Sequence, residues 1–176
     1  MNKSQTVIFT IGHSTHPVSE FIEILKGLEI QSIIDVRTIP KSRHNPQFTR
    51  EELEESLRSE GIGYLHMPGL GGLRHTRKDS PNTGWRNASF RGFADYMLTK
   101  DFAVNLEKLI EIAQKETMAI MCAEAVPWRC HRSLIGDALL VRGVDVLDIT
   151  GKHSVHPHIL TPWAKVDGIK ITYPEV

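Results

Sequence analysis

The first part of the chain places a helix between two apolar, β-rich stretches, and this order constrains the fold more than any other feature. Residues 6–11 are apolar and β-rich, which is typical of a buried strand, and residues 30–36 read in the same way. Between them, apolar side chains recur at helical spacing, at Phe21, Ile22, Ile24, Leu25 and Leu28. Ser19 is placed to cap that helix. A strand, a helix and a strand within about 30 residues predict a parallel βαβ unit with a right-handed crossover.

The remainder of the chain continues to alternate between helical and strand-like patterns. We expect further helices at residues 49–60, 90–98, 102–115 and 133–142, and further strands at residues 61–66, 118–121, 144–149 and 169–173. Thr49 and Glu52 have the spacing of a capping box at the start of the second helix. The sequence therefore predicts one α/β domain over residues 1–176, with a mostly parallel central sheet of about five strands and helices on both faces.

Charge and cysteine content narrow the class of protein. Lysine plus arginine and aspartate plus glutamate both total 21, so any affinity for a polyanion must come from a local patch. No apolar run approaches the roughly 18 residues of a membrane span, and no signal-peptide core follows the N-terminus. The two cysteines suggest no disulfide framework. We expect a cytoplasmic protein that has no membrane partner.

The segment from Cys122 to Arg132 carries the strongest functional signal. It contains both cysteines, an acid, a histidine and two arginines, and it connects a predicted strand to a predicted helix. In an open α/β sheet such a loop lies at the carboxyl edge of the strands, where ligands bind. The helix N-terminus that follows favours an anion and lowers the pKa of a nearby thiol. The segment therefore predicts a site for an anionic group.

Within this segment we assign three catalytic candidates. Cys122 is either a nucleophile or an inert buried thiol, and the sequence leaves open whether it forms a redox-active pair with Cys130. His131 is either an acid–base group near neutral pH or a local cap, and Glu124 is either a base or the partner of an arginine. Six residues separate Cys122 from Arg129, one more than in phosphatases that wrap a phosphate between a thiolate and an arginine. This spacing weakens an assignment as such a phosphatase.

Polar residues and glycines at the predicted strand ends complete the candidate site. The carboxyl ends of parallel strands share one edge of the sheet, so these residues are expected to converge on an anion. The predicted binding residues are His13, Ser14, Arg37, Ser42, Gly71, Gly72, Cys130 and Arg132. Asp35 is expected to orient Arg37, and the two glycines are expected to form a turn that lets a ligand approach.

Two weaker patterns leave other functions open. Cys122, Cys130 and His131, with His13 or a histidine of the tail (His153, His156, His158), are residue types that zinc accepts, although their spacing matches no zinc knuckle. A basic stretch between Arg74 and Arg86 is interleaved with aromatic residues. This pattern is either a contact surface for a nucleic-acid backbone or a solvated loop.

Taken together, these residues resemble domain-of-unknown-function family 488. The matching segments are Thr10–Ser14, Asp35–Arg37 with Pro40 and Ser42, Tyr64 with Leu70–Gly72, Cys122–Glu124 and Cys130–Arg132. Thr15 stands where the family pattern usually has asparagine. The resemblance spans nearly the whole chain and implies a compact α/β domain with these residues grouped together, but it implies no particular activity.

Our leading hypothesis is an enzyme that acts on a phosphorylated or nucleotide-like anion through Cys122 and His131. A non-catalytic nucleotide or nucleic-acid binding module and a metal-binding hydrolase are the alternatives. The cofactor, the substrate and the oligomeric state are left open.

Overall fold

A six-stranded sheet forms the centre of the molecule, with strand order β3-β2-β4-β1-β5-β6. The computed structural model describes residues 5–175. Its strands are β1 (Val7–Gly12), β2 (Ser32–Asp35), β3 (Gly63–His66), β4 (Met118–Cys122), β5 (Asp145–Gly151), β6 (Ser154–Pro157), β7 (Lys165–Asp167) and β8 (Lys170–Thr172). Strands β1 to β5 are parallel, β6 joins β5 in antiparallel fashion, and β7 and β8 form a separate antiparallel pair.

Helices cover both faces of this sheet. They are α1 (Val18–Gly27), α2 (Arg50–Arg58), α3 (Ala88–Tyr96), α4 (Lys100–Lys115) and α5 (Arg132–Leu140), with short 3₁₀ helices at Pro46–Phe48, Pro68–Leu70 and Pro127–Arg129. The buried side chains of α1 and α2 pack in one core cluster, and those of α3, α4 and α5 pack in the other. The predicted α/β architecture is confirmed. Among residues 5–175 the central sheet has one strand more than expected, because β6 adds to its edge.

The connections place the end of β4 at a topological switch point. Strand β4 lies between β2 and β1, whose chains continue into helices on one face, whereas β4 continues into α5 on the other face. Loops that leave neighbouring strands toward opposite faces open a crevice between them. The sheet therefore creates a cleft at the end of β4.

Two expected helix caps are wrong. Helix α1 begins at Val18 after an extended Pro17, so Ser19 lies inside the first turn and no side chain caps the helix. Thr49 precedes α2 in an extended conformation, but its hydroxyl accepts no capping hydrogen bond. Side-chain caps occur instead at α3 and α4, where Asn87 and Thr99 accept from backbone N–H groups.

The C-terminal tail is anchored to α5 through Asp137, a carboxylate buried at 0 % exposure. It accepts hydrogen bonds from Tyr173 Oη and Thr161 Oγ1, both at 2.7 Å, and lies 2.9 Å from Nε2 of His158. The other ring nitrogen of His158 lies 2.8 Å from Asp148. Of the three tail histidines, His153 and His156 are exposed, whereas the side chain of His158 is buried between two carboxylates.

This arrangement keeps His158 charged. Burial alone would lower its pKa, but the hydrogen bonds and charges of Asp137 and Asp148 outweigh burial and raise the pKa to about 9. Because the folded value exceeds the unfolded value of about 6.5, protonation stabilises the fold fully below pH 6.5, and that stabilisation disappears as the pH rises through 9.

We therefore expect the free energy of unfolding of the wild-type protein, measured with urea, to fall between pH 6.5 and pH 9.5. In His158→Gln, which cannot form the charged contact, this part of the decrease should be absent. His156→Gln, the same change two residues earlier at an exposed position, should keep the wild-type slope. Equal slopes in the wild-type protein and His158→Gln would contradict the assigned ion pair.

Candidate functional site

A cavity of about 340 Å³ opens at the carboxyl edge of the sheet, where β2 and β4 end. We call it the Cys122 cavity. Its wall is formed by Arg37, Thr38, Ile39, Lys41, Gly72, Leu73, Ser89, Phe90, Cys122, Ala123, Glu124, Arg129, Cys130 and His131. The cavity thus brings together loops that leave β2, β3 and β4, together with the first turn of α3.

Two free thiols lie at the base of this cavity. Cys122 ends β4 and is 1 % exposed, and Cys130, which precedes α5, is 6 % exposed. Burial raises the pKa of Cys122, but a hydrogen bond from Cys130 and the positive charge of Arg132 outweigh it and lower the pKa below its ordinary value. Burial and the neighbouring Cys122 raise the pKa of Cys130. The pair therefore favours a thiolate at Cys122 and a neutral thiol at Cys130.

Arg132 lies behind the thiols. Its side chain is 0 % exposed, and its guanidinium donates to Thr10 Oγ1 at 2.7 Å and to the carbonyl of Ala125 at 3.1 Å. A further donation reaches the carbonyl of Glu124 at 3.3 Å. We expected Arg132 to bind a ligand anion, but it does not line the cavity and instead holds the loop after β4. Its charge reaches the site through Cys122.

The N-terminus of α5 was expected to bind an anion, but its backbone N–H groups also donate to atoms of the protein. The backbone N–H of Arg132 donates to the sulfur of Cys130 at 3.4 Å, and those of Ser133 and Leu134 donate to Cys130 and His131 carbonyls. These N–H groups are thus engaged within the chain. The N–H groups at the helix end therefore contact Cys130 and His131 of the chain itself, and not the open space of the cavity.

His131 is neutral and fixed. Burial lowers its pKa to about 4, well below the neutral range expected for an acid–base group. Its Nε2 lies 3.0 Å from the carbonyls of both Val36 and Leu70, so Nε2 carries the proton. The unprotonated Nδ1 lies 3.4 Å from the sulfur of Cys130. His131 therefore joins the loops after β2 and β3, and its Nδ1 contacts the sulfur of Cys130.

Arg37 enters the cavity from the end of β2 in the orientation that Asp35 imposes. Its guanidinium donates to both carboxylate oxygens of Asp35, at 2.7 Å and 2.9 Å, and Tyr64 Oη donates to the same carboxylate at 2.5 Å. His13 lies behind this pair, with Nε2 3.4 Å from Arg37 Nη1 and its ring stacked on Phe48 at 4.4 Å. Burial lowers the pKa of His13 to about 4, so it is a neutral acceptor.

Gly71 and Gly72 let the loop after β3 pack closely against the site. A side chain on Gly72 would approach Nδ1 of His131 to 2.7 Å, and one on Gly71 would approach Thr38 Oγ1 to 2.5 Å. We expected a ligand to approach these glycines closely, but the atoms that approach them are those of His131 and Thr38. Gly72 lines the cavity, whereas Gly71 does not.

Six of the eleven predicted site residues line the cavity, namely Cys122, Glu124, Cys130, His131, Arg37 and Gly72. The side chain of Glu124 is exposed and forms no ion pair with any residue that the structure describes, so the expected arginine contact is made by its carbonyl only. Ser14 follows β1, and its backbone N–H donates to Ala123. Ser42 accepts from the backbone of Asn45 within its own loop. Neither serine, nor His13, lines the cavity.

Sequence reasoning missed Lys41, Ser89 and Phe90 as wall residues. Lys41 follows the Pro40 of a loop that carried no periodic signal. Ser89 and Phe90 lie in the first turn of α3, where both backbone N–H groups donate to Asn87. An Asn followed by a helical pattern is a recognisable cap, and it was the available signal for this turn.

The structure also describes the residues on which two weaker expectations were based. Within the basic stretch, Arg74 packs over the ring of Tyr96 at 3.7 Å, and Arg77 pairs with Asp79. Asp95 accepts from Arg77 N, Ser80 Oγ and Asn82 Nδ2, so the stretch is tied to α3. For the metal alternative, residues 5–175 contain no group of three or more His, Cys, Asp or Glu side chains arranged to hold an ion.

The family model described as Domain of unknown function DUF488 matches residues 17–139, which is more than half of the chain. The chain belongs to this family. Comparisons with curated proteins and with solved structures gave no match. None of the helices within residues 5–175 combines the length and apolar character needed to span a bilayer.

The loop after β4 depends on Gly12, the last residue of β1. A side chain there would lie 1.5 Å from the carbonyl oxygen of Glu124. Gly12→Ala should therefore displace this loop and lower the free energy of unfolding by about 1–3 kcal/mol or more in urea titrations. Gly27→Ala, at the end of α1 with nothing within 4 Å, should be neutral or slightly stabilising. Equal effects of the two changes would contradict the contact.

The lowered pKa of Cys122 predicts selective alkylation. Cys122 should react with iodoacetamide with an apparent pKa below the free-cysteine value of about 8.5, while Cys130 reacts only at higher pH, as measured by peptide mass spectrometry. Cys130→Ala removes the donor and should raise the apparent pKa of Cys122. A Cys122 profile that stays at or above the free value, or that Cys130→Ala leaves unchanged, would refute the thiolate assignment.

Proposed function

We propose that this protein is an enzyme in which Cys122 attacks a phosphorylated or nucleotide-like anion bound in the Cys122 cavity. The observation that carries the proposal is the position of the Cys122 sulfur, at the base of an open cavity, beside the Cys130 thiol and in front of the buried charge of Arg132. A thiolate is the reactive form of cysteine, and a lowered pKa increases the fraction of thiolate at a given pH.

The charges around the opening suit an anion. Arg37, Lys41 and Arg129 line the cavity, and Lys41 and Arg129 are exposed and form no ion pair with residues 5–175. Glu124 is the one carboxylate among the wall residues that the structure describes. Exposed cations at the rim and a half-apolar wall fit a ligand that combines a charged group with a less polar body.

The chemistry proceeds in two displacements. The Cys122 sulfur forms a bond with the electrophilic atom of the substrate, and the leaving group departs with the electron pair of the broken bond and takes a proton from solvent water. Cys130 is placed to orient the thiolate by donating its proton to it, and Nδ1 of His131 lies 3.4 Å from the Cys130 sulfur. Water then displaces the sulfur and loses a proton to the solvent, which releases the second product and restores the thiolate. Two free thiols also suit the reducing cytoplasm, which is the location that we propose.

The test is a screen of nucleotides, sugar phosphates and other phosphorylated metabolites, with products and protein adducts followed by mass spectrometry. Cys122→Ser should lower turnover by about a thousandfold or more, because the hydroxyl is a far weaker nucleophile. The matched change Cys130→Ser should lower turnover less than Cys122→Ser does. A covalent adduct on Cys122 should still be detected in this variant.

Three outcomes of this screen distinguish an enzyme with a Cys122 nucleophile from a binding module. An adduct on Cys122 with loss of turnover in Cys122→Ser supports the enzyme. Full turnover in Cys122→Ser rejects the nucleophile. Saturable nucleotide binding without turnover in any condition rejects the enzyme in favour of a binding module.

A further inference from the structure

A second cavity, of about 460 Å³, lies beside the Cys122 cavity and holds all the tryptophans of the chain. We call it the tryptophan cavity. Trp85, Trp128 and Trp163 line it together with Asp148 and His158. The 3₁₀ helix Pro127–Arg129 separates the two cavities, because Trp128 faces this one while Arg129 lines the other. The volume of the tryptophan cavity is in the range of small-molecule binding sites.

The indoles of this cavity are unusually accessible. Trp128 is 67 % exposed and Trp163 is 39 % exposed. Trp85 supports Trp163 from behind, with ring centroids 5.0 Å apart in an edge-to-face arrangement, and Trp85 also packs against Tyr173. Trp163 is thus fixed while part of its surface stays open. Aromatic side chains held in this way provide stacking surfaces for flat rings.

The polar floor of the cavity is electrically compensated. His158 is a cation held between the carboxylates of Asp148 and Asp137. Thr10 links Asp148 to the guanidinium of Arg132, with distances of 2.5 Å and 2.7 Å. Two cations therefore offset two carboxylates, and the floor offers no net charge to a ligand. A neutral ligand with polar edges suits this floor better than an ion does.

The arrangement of the indoles also argues against a cation. An aromatic cage surrounds a quaternary ammonium with ring faces on several sides. Here Trp85 and Trp163 contact one another directly, so they leave no space for a cation between them.

From these observations we infer that the tryptophan cavity binds a neutral, planar heteroaromatic ring of nucleoside size. The ring stacks on Trp128 and Trp163, and its polar edge faces the hydroxyls of Thr150 and Ser133 and the floor formed by Asp148 and His158. The inference uses no residue of the Cys122 cavity and stands whether or not Cys122 is a nucleophile.

The test exploits the fact that every tryptophan of the chain lines this cavity. Adenosine, guanosine, cytidine and uridine are titrated into the full-length protein, and tryptophan fluorescence and the indole N–H signals in nitrogen-15 NMR spectra are recorded. At least one nucleoside should quench the fluorescence saturably and shift the indole signals. Trp128→Ala should weaken binding by about tenfold or more, and Trp128→Phe should retain most of it.

The controls separate this inference from the proposed function. Arg129→Ala, on the other side of the same 3₁₀ helix, and Cys122→Ser should leave nucleoside affinity unchanged. Because Trp128 is largely exposed, Trp128→Ala is expected to fold, and circular dichroism checks this. The inference is overturned if no nucleoside binds, if Trp128→Ala binds as tightly as the wild-type protein, or if tetramethylammonium binds more tightly than every nucleoside.

Discussion

The hydrogen bonds of the buried Arg132 guanidinium hold two parts of the molecule in place, the loop after β4 and, through intermediate residues, the C-terminal tail. The guanidinium donates to carbonyls of the loop after β4, it lies behind Cys122, and through Thr10 it reaches Asp148 on β5. Asp148 in turn holds His158, which holds Asp137 on α5. An unpaired charge at such depth would cost several kcal/mol, so these groups stabilise the fold only as a connected set. The loop with the thiols and the C-terminal tail are therefore positioned by one network.

The sheet explains why this network lies where it does. Strand β1 pairs with β4 so that Gly12 lies opposite Cys122, and the chain after each strand continues the pairing, since His13 N–H donates to the carbonyl of Cys122. Gly12 has no side chain, so the loop after β4 crosses directly over the end of β1. That close crossing brings the carbonyls of this loop within reach of Arg132. The site is thus a consequence of strand register and one glycine.

The sequence was sufficient to predict the α/β class, the parallel order of the early strands and the convergence of Cys122, Cys130, His131 and Arg37, because these follow from local patterns and from the common edge of a parallel sheet. It was insufficient wherever a long-range contact decided the outcome. Arg132 was predicted to bind an anion and His158 was considered as a zinc ligand, and only the fold supplies the Thr10 and Asp137 contacts that bury them. The lowered pKa of His131 likewise comes from burial of its ring against loops that are distant in sequence, at Val36 and Leu70.

The charge distribution in this network bears on the chemistry at Cys122. Arg132 and His158 already balance Asp137 and Asp148, so a thiolate at Cys122 adds a negative charge that the buried groups do not neutralise. Hydrogen bonding from Cys130 and the nearness of Arg132 sustain this excess charge. A thiolate in a fully compensated ion pair would be stable but weakly reactive, whereas an incompletely compensated one retains its nucleophilicity. Such a sulfur would repel an anionic substrate, and the exposed cations Lys41 and Arg129 at the rim are placed to overcome that repulsion.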